Sequence, residues 1–160
     1  MRSVRPVEPV AYDPAWSDLF RKLASRLRDT VGDAAVSIEH VGSTAVPGLA
    51  SKPIVDIDVV LKSESQVADV IKRLEVVGYQ HEGDLGVSGR EALLPPGDLP
   101  NHHLYVVVRG SAPYLNHIMF RDFLRDRVDA ASDYEAVKIA AAKAHRNDRG
   151  GLHQGQIAVH

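Results

Sequence analysis

The chain contains no cysteine. Disulfide scaffolds, cysteine-ligated zinc and thiol nucleophiles are therefore excluded, and the composition is compatible with a reducing compartment. No apolar run approaches the roughly 20 residues of a membrane helix. The opening segment, MRSVRPVEPVAYDPAW, lacks the apolar centre of a secretory signal. The expected location is the cytoplasm, with no membrane partner. A charge excess is missing too: the formal net charge is −2 with histidine neutral. Without a broad basic field, the composition argues against a long nucleic acid as partner, and any polyanion must be held by a local cluster.

What remains is ordinary for a globular protein. The 160 residues are 44% hydrophobic and 25% charged, enough for one domain, expected to be 1–160, with its own core. Asp13-Pro14 reads as a helix cap followed by proline at the first helical position. Trp16, Leu19, Phe20, Leu23 and Leu27 recur at helical spacing, which predicts a helix over about 14–31. A short strand at 35–41 follows, with Val36, Ile38 and His40 on one face. The segment GSTAVPGL at 42–49 is punctuated as a loop or one irregular turn.

The run PIVDIDVVL at 53–61 is largely β-branched and predicts a buried central strand. Ser63 is placed to cap a helix over 64–77, with Val67, Val70, Ile71 and Leu74 as its core stripe. Short antiparallel strands are expected within 79–100. A clear strand follows at 102–108, then a helix from Ser111 to about Arg125 with Leu115, Met119 and Phe123 on one stripe. A last helix is expected over about 133–145. This order predicts an α/β chain of the α+β type, a mixed sheet flanked by helices. A Rossmann unit is not expected, because the glycine-containing loop lacks G-x-G-x-x-G.

Two residues apart on a strand, Asp56 and Asp58 point to the same face. Carboxylates so placed repel each other unless a cation, a proton or solvent separates them. A hard divalent ion, Mg²⁺ or Mn²⁺, is the natural companion, with phosphate and water completing its shell. An isolated D-x-D is more often two solvated acids, but the apolar run around this pair argues against that. Gly42 lets backbone approach a phosphate, and Ser43 offers a hydroxyl donor. Lys52 precedes the acidic strand as a charge for phosphate.

The stretch 40–58, HVGSTAVPGLASKPIVDID, resembles the GrpB (UPF0157) family. The resemblance extends from YDPAW at 12–16, through His102-His103-Leu104, to FRDFLR at 120–125. That family looks like a branch of the nucleotidyltransferase superfamily, whose signature is Gly-Ser followed by a strand carrying D-x-D. The resemblance implies a nucleotidyltransferase-like mixed sheet. It also implies Asp56 and Asp58 as catalytic metal ligands, and a nucleoside triphosphate whose α-phosphorus is attacked by a small-molecule acceptor. A third acid is normally supplied by a neighbouring strand, but the matching strand at 102–108 has none. His103 or His102 is expected in its place as base or ligand, His103 facing the site and His102 supporting it from the strand edge. Glu39 and Glu91 are further candidates.

His117, Arg121 and Arg125 are spaced by four and form one helical stripe. Arg121, with Lys138 on the next helix, is expected to contact phosphate, whereas Arg125 is expected to pair with a nearby aspartate. From Asn147 the tail departs from the family pattern, with GGLHQG at 150–155. Two further readings stand beside the transferase. One is a non-catalytic nucleotide-binding, regulatory or folding module, since similar domains occur fused to dephospho-CoA kinase. The other is a different reaction using the histidine pair as acid and base.

Overall fold

Asp13 caps the first helix through its side chain: Oδ1 accepts the Ala15 amide hydrogen at 2.9 Å. Helix α1 then spans Ala15–Val31 and buries Trp16, Leu23, Leu27 and Val31. Gly32, at φ 59°, ends it in a backbone region that favours glycine. The computed structural model describes residues 8–127. The helix expected over 133–145, and Lys138 with it, lie outside the described residues. Among the described residues, no helix is long and apolar enough to cross a membrane.

Among the described residues, five strands form one mixed sheet in the order β1-β2-β5-β4-β3. They are β1 (Ala35–Val41), β2 (Val55–Leu61), β3 (Gln80–Gly83), β4 (Arg90–Leu94) and β5 (His102–Val108). β1 pairs antiparallel with β2, and β2 pairs parallel with β5. β4 pairs antiparallel with both β5 and β3. The parallel pair requires a crossover, which α2 (Val67–Val76) and the β3–β4 hairpin provide. Ser63 opens that crossover with a capping box to Gln66.

The main core lies on one face of the sheet. Trp16, Leu23 and Leu27 of α1 and Val70 and Leu74 of α2 pack there on Val55, Ile57 and Val59 of β2 and Leu104 and Val106 of β5. Alternation turns Asp56, Asp58, His103 and Tyr105 to the other face. Helix α3 (Ala112–Arg125) covers that second face. Its buried residues are Pro113, Phe120 and Leu124, and Phe120 and Leu124 pack on Val46 and Leu49 of the glycine loop. The stripe expected to carry α3, Leu115-Met119-Phe123, is instead exposed, Met119 by 62%. The inner face of α3 is occupied largely by His117, Arg121 and Arg125, which bond to polar groups of the sheet and loop.

Candidate active site

Gly42 leaves β1 at φ 74° and ψ −175°, a combination open to glycine and strained for other residues. A Cβ placed there would lie 2.4 Å from Asp56 Oδ2. The loop backbone therefore lies directly against the first carboxylate. Ser43, Thr44 and Ala45 form one buried 3-10 turn after it. The turn is held from two sides. His40 Nε2 hydrogen-bonds Thr44 Oγ1 at 2.9 Å, and its ring stacks on Phe20 with centroids 4.8 Å apart. From α3, Arg125 Nε donates to the Ala45 carbonyl at 2.8 Å, and among the described residues it forms no ion pair with Asp122 or Asp126; Asp129 lies outside the described residues. Burial, aided by the Arg125 charge, pushes the His40 pKa down to about 4, so this ring is neutral at neutral pH.

Each carboxylate of the pair faces a histidine. His103 Nδ1 donates to Asp56 Oδ1 at 2.7 Å. A carboxylate only accepts, so a His103 proton sits on Nδ1, and the tautomer this bond selects in the neutral ring leaves the lone pair on Nε2. Both side chains remain open to solvent, at 29% for Asp56 and 30% for His103. Asp58 is different: its side chain is 0% exposed, and His117 Nδ1 lies 2.9 and 3.1 Å from its two oxygens. Burial raises the Asp58 pKa, and the His117 hydrogen bond only partly opposes it. Burial pulls His117 the other way, but the hydrogen bond and charge of Asp58 outweigh it and raise its pKa. The pair thus holds protons more tightly than the two groups do in water.

Tyr105 stands between the two couples, its ring 6.4 Å from that of His103 and 5.8 Å from that of His117. The Arg90 guanidinium lies over it, 4.6 Å from the ring centroid. On the far side, Glu39 is in register with Asp58 across β1 and β2. Arg121 binds Glu39 Oε1 at 2.8 Å, the His40 carbonyl at 3.1 Å and Asp122 at 2.9 Å. Burial opposes its charge, yet these carboxylates raise its pKa above the usual value. Arg121 therefore ties α3 to β1 beside the loop.

The expected site residues thus divide. Gly42, Ser43, Asp56, Asp58, His103 and Arg121 come together, and Lys52 lies exposed on the connection between the glycine loop and β2. His102 does not join them. It is wholly buried on the opposite face. Its Nδ1 donates to the Pro100 carbonyl at 2.7 Å, so its Nε2 accepts from the Tyr79 hydroxyl at 2.7 Å. With both nitrogens used inside the core, the expected support from the strand edge is replaced by a structural bond. Glu91 is likewise turned away, in register with Val106 and paired with His81 at 2.8 Å. A cavity of about 270 Å³ lined by Leu27, Tyr79 and Leu99 also lies off the carboxylate face.

Two residues were not assigned to the pair from sequence. His117 was visible only as part of a basic stripe, and its partner Asp58 is 59 residues away. Arg90 sits in no motif, and only the β4–β5 register brings it to Tyr105. For a metal, Asp56 and Asp58 supply oxygen donors of the kind Mg²⁺ accepts. No group of three or more His, Asp or Glu side chains among the described residues is arranged to enclose an ion. The residues fit an ion that brings the rest of its shell from water and a bound phosphate chain.

The fold is that of nucleotidyltransferases. It superposes on the terminal uridylyl transferase Cid1 with a TM-score of 0.60 at 13% identity, covering 85% of this chain and 42% of that one. A second structure of Cid1, bound to MgGTP, gives a TM-score of 0.58 at 14% identity, covering 83% and 44%. The crystal structure of the conserved protein GrpB from Enterococcus faecalis matches with a TM-score of 0.79 at 28% identity, over 94% of this chain and 96% of that one. The UPF0157 protein YqkA of Bacillus subtilis is 30% identical over 152 residues. That match takes in 95% of this chain but 44% of YqkA's own length. The family model described as "GrpB protein" matches residues 6–156, so the chain belongs to the GrpB family.

Proposed function

We propose that this chain binds a Mg²⁺–nucleoside triphosphate between its glycine loop and Asp56–Asp58 and transfers the nucleotidyl group to a small-molecule acceptor. The observation that carries this reading is the contact of Gly42 with Asp56. It puts backbone able to cradle phosphate and a carboxylate able to hold a cation within one van der Waals distance. The MgGTP complex of Cid1, on the same fold, supports it. In this reading Ser43 and Lys52 hold the phosphate tail, Asp56 and Asp58 hold Mg²⁺ (or Mn²⁺), and Arg121 keeps α3 closed over the loop. When bound, the ion supplies charge neutralisation at the phosphates.

The chain's own chemistry rests on the Asp56–His103 couple. Asp56 fixes the ring with its proton on Nδ1, which leaves Nε2 to take the proton of the acceptor hydroxyl. The acceptor oxygen forms a bond to the α-phosphorus, and the bond to the departing pyrophosphate breaks. The reading with two histidines as acid and base loses its second member, because His102 is committed to the core.

The second reading, a non-catalytic nucleotide-binding or regulatory module, is favoured by the enclosure of Asp58 beneath His117. Calorimetry with Mg²⁺ and each nucleoside triphosphate separates the cases. Wild type is expected to bind one nucleotide only with the metal, and Asp56→Asn to bind it at least about tenfold more weakly, as for a lost charge-assisted contact. Equal affinity in the two proteins rules out the metal-site reading. Binding without release of pyrophosphate, across a panel of small hydroxyl and amine acceptors, supports the second reading.

A further inference from the structure

We propose that Arg90 is the docking group for an anionic moiety, a carboxylate or a phosphate, on the acceptor; this assignment rests on the transferase reading. Among the described residues, two buried side-chain polar atoms lack a hydrogen-bond partner, Arg90 Nε and Ser111 Oγ. A guanidinium N–H withdrawn from bulk water and left unpaired is costly, and it calls for a partner that the protein's own groups do not supply. The remaining arginines of this face are engaged: Arg121 with Glu39 and Asp122, and Arg125 with the Ala45 carbonyl.

Arg90 is nonetheless inside the site. Its charge acts on both Asp58 and His117, and its guanidinium is fixed over the Tyr105 ring at 4.6 Å. Stacking on the ring fixes the plane of the fork, a geometry lysine does not offer. Position then separates its role from that of the loop. In the sheet order β1-β2-β5-β4-β3, the glycine loop leaves β1 on one side of Asp56 and Asp58. Arg90 begins β4 on the other side, beyond β5. With the triphosphate on the loop, the second substrate enters along His103, Tyr105 and Arg90. An anionic tail held by Arg90 would place the acceptor hydroxyl beside His103.

The test uses the whole chain loaded with Mg²⁺ and a non-hydrolysable nucleoside triphosphate, titrated separately with methyl phosphate and with acetate at constant ionic strength. The Arg90 Nε–Hε signal in ¹⁵N-resolved spectra reports directly. One of the two anions is expected to shift it saturably, and which one does so names the acceptor's group. Followed on the Ala92 and Tyr105 amides, Arg90→Lys is expected to bind that anion about tenfold more weakly, because the planar fork is lost. Triphosphate binding is expected to be unchanged in this variant. No saturable shift with either anion, or equal affinity in Arg90→Lys, overturns the assignment. Saturation of the Arg90 signal by the triphosphate alone overturns it as well, by giving Arg90 to the nucleotide. Should Arg90→Lys not fold, the wild-type signal decides alone. Failure of wild type to bind the triphosphate overturns the transferase reading and the acceptor role with it. Failure of the anion titration with triphosphate binding intact overturns the Arg90 assignment alone.

Discussion

Replacing Gly42 by alanine tests whether the loop and Asp56 are one physical unit. Two costs are expected. The backbone at φ 74° and ψ −175° is strained for any L side chain, about 1–3 kcal/mol. The new methyl would also stand 2.4 Å from Asp56 Oδ2, so the carboxylate must leave its rotamer and stretch its bond to His103. Off-rotamer displacement adds about 1 kcal/mol, and weakening a charged hydrogen bond about 1.5–3 kcal/mol. The sum is about 3.5–7 kcal/mol, a large fraction of the stability of an ordinary domain. The steric part depends on the Asp56 side chain. In an Asp56→Ala background the nearest remaining Asp56 atom is Cβ, at 3.2 Å. There Gly42→Ala should cost only the backbone part, about 1–3 kcal/mol. Denaturant unfolding of wild type, both single variants and the double variant gives the coupling, expected at about 2.5–4 kcal/mol. Equal cost of Gly42→Ala in the two backgrounds would refute the contact, and a cost below about 1 kcal/mol would refute the strain as well.

Acid should destabilise the protein through His40. Its folded pKa is about 4 against an ordinary 6.5, so the unfolded chain takes up the proton first. The resulting stability is complete above pH 6.5 and is lost as pH falls toward 4. The limit is about 3 kcal/mol, read from unfolding midpoints across that window, and His40→Asn should flatten the slope there. Tyr79→Phe removes the donor to buried His102 Nε2 and should cost about 1–3 kcal/mol; an unchanged unfolding midpoint would contradict the assigned bond. His103→Ala should lower turnover far more than affinity for the Mg²⁺–triphosphate, measured by pyrophosphate release and calorimetry. A loss of affinity matching the loss of turnover would make His103 a binding group instead.

Much of the fold was legible because its signals are local. The run at 53–61 is apolar on the core side, and the observed β2 differs only in beginning at Val55. The helix ends are written in Asp13, Gly32 and Ser63, whose caps the structure contains. Alternation on β5 correctly turned His103 toward the carboxylates, in register with Asp56. The errors arise where polar chemistry displaces the usual pattern. The apolar stripe of α3 was a natural candidate for the core, but its inner face is occupied by residues that bind the sheet. His102 looked like a second functional histidine because a polar residue on a core face has no sequence signal. Its burial depends on Tyr79 and on the Pro100 carbonyl, which periodicity does not connect to it. Arg90 was invisible for the same reason: its significance comes from strand pairing rather than from neighbours in the chain.

The sheet order also dictates when the site can exist during synthesis. Among the described residues β5 is the last strand made, yet it lies at the centre, between β2 and β4. Asp56 and its partner His103 are 47 residues apart, and closing so long a loop is slow compared with forming a helix or a hairpin. Without β5 the β1–β2 and β3–β4 pairs have no strand joining them, and each presents an open inner edge able to pair wrongly. Insertion of β5 seals both edges in one event and assembles the carboxylate–histidine face at the same moment. That face is thus withheld from every shorter translation intermediate, and any ligand that binds it during refolding can stabilise only chains that have already completed the sheet.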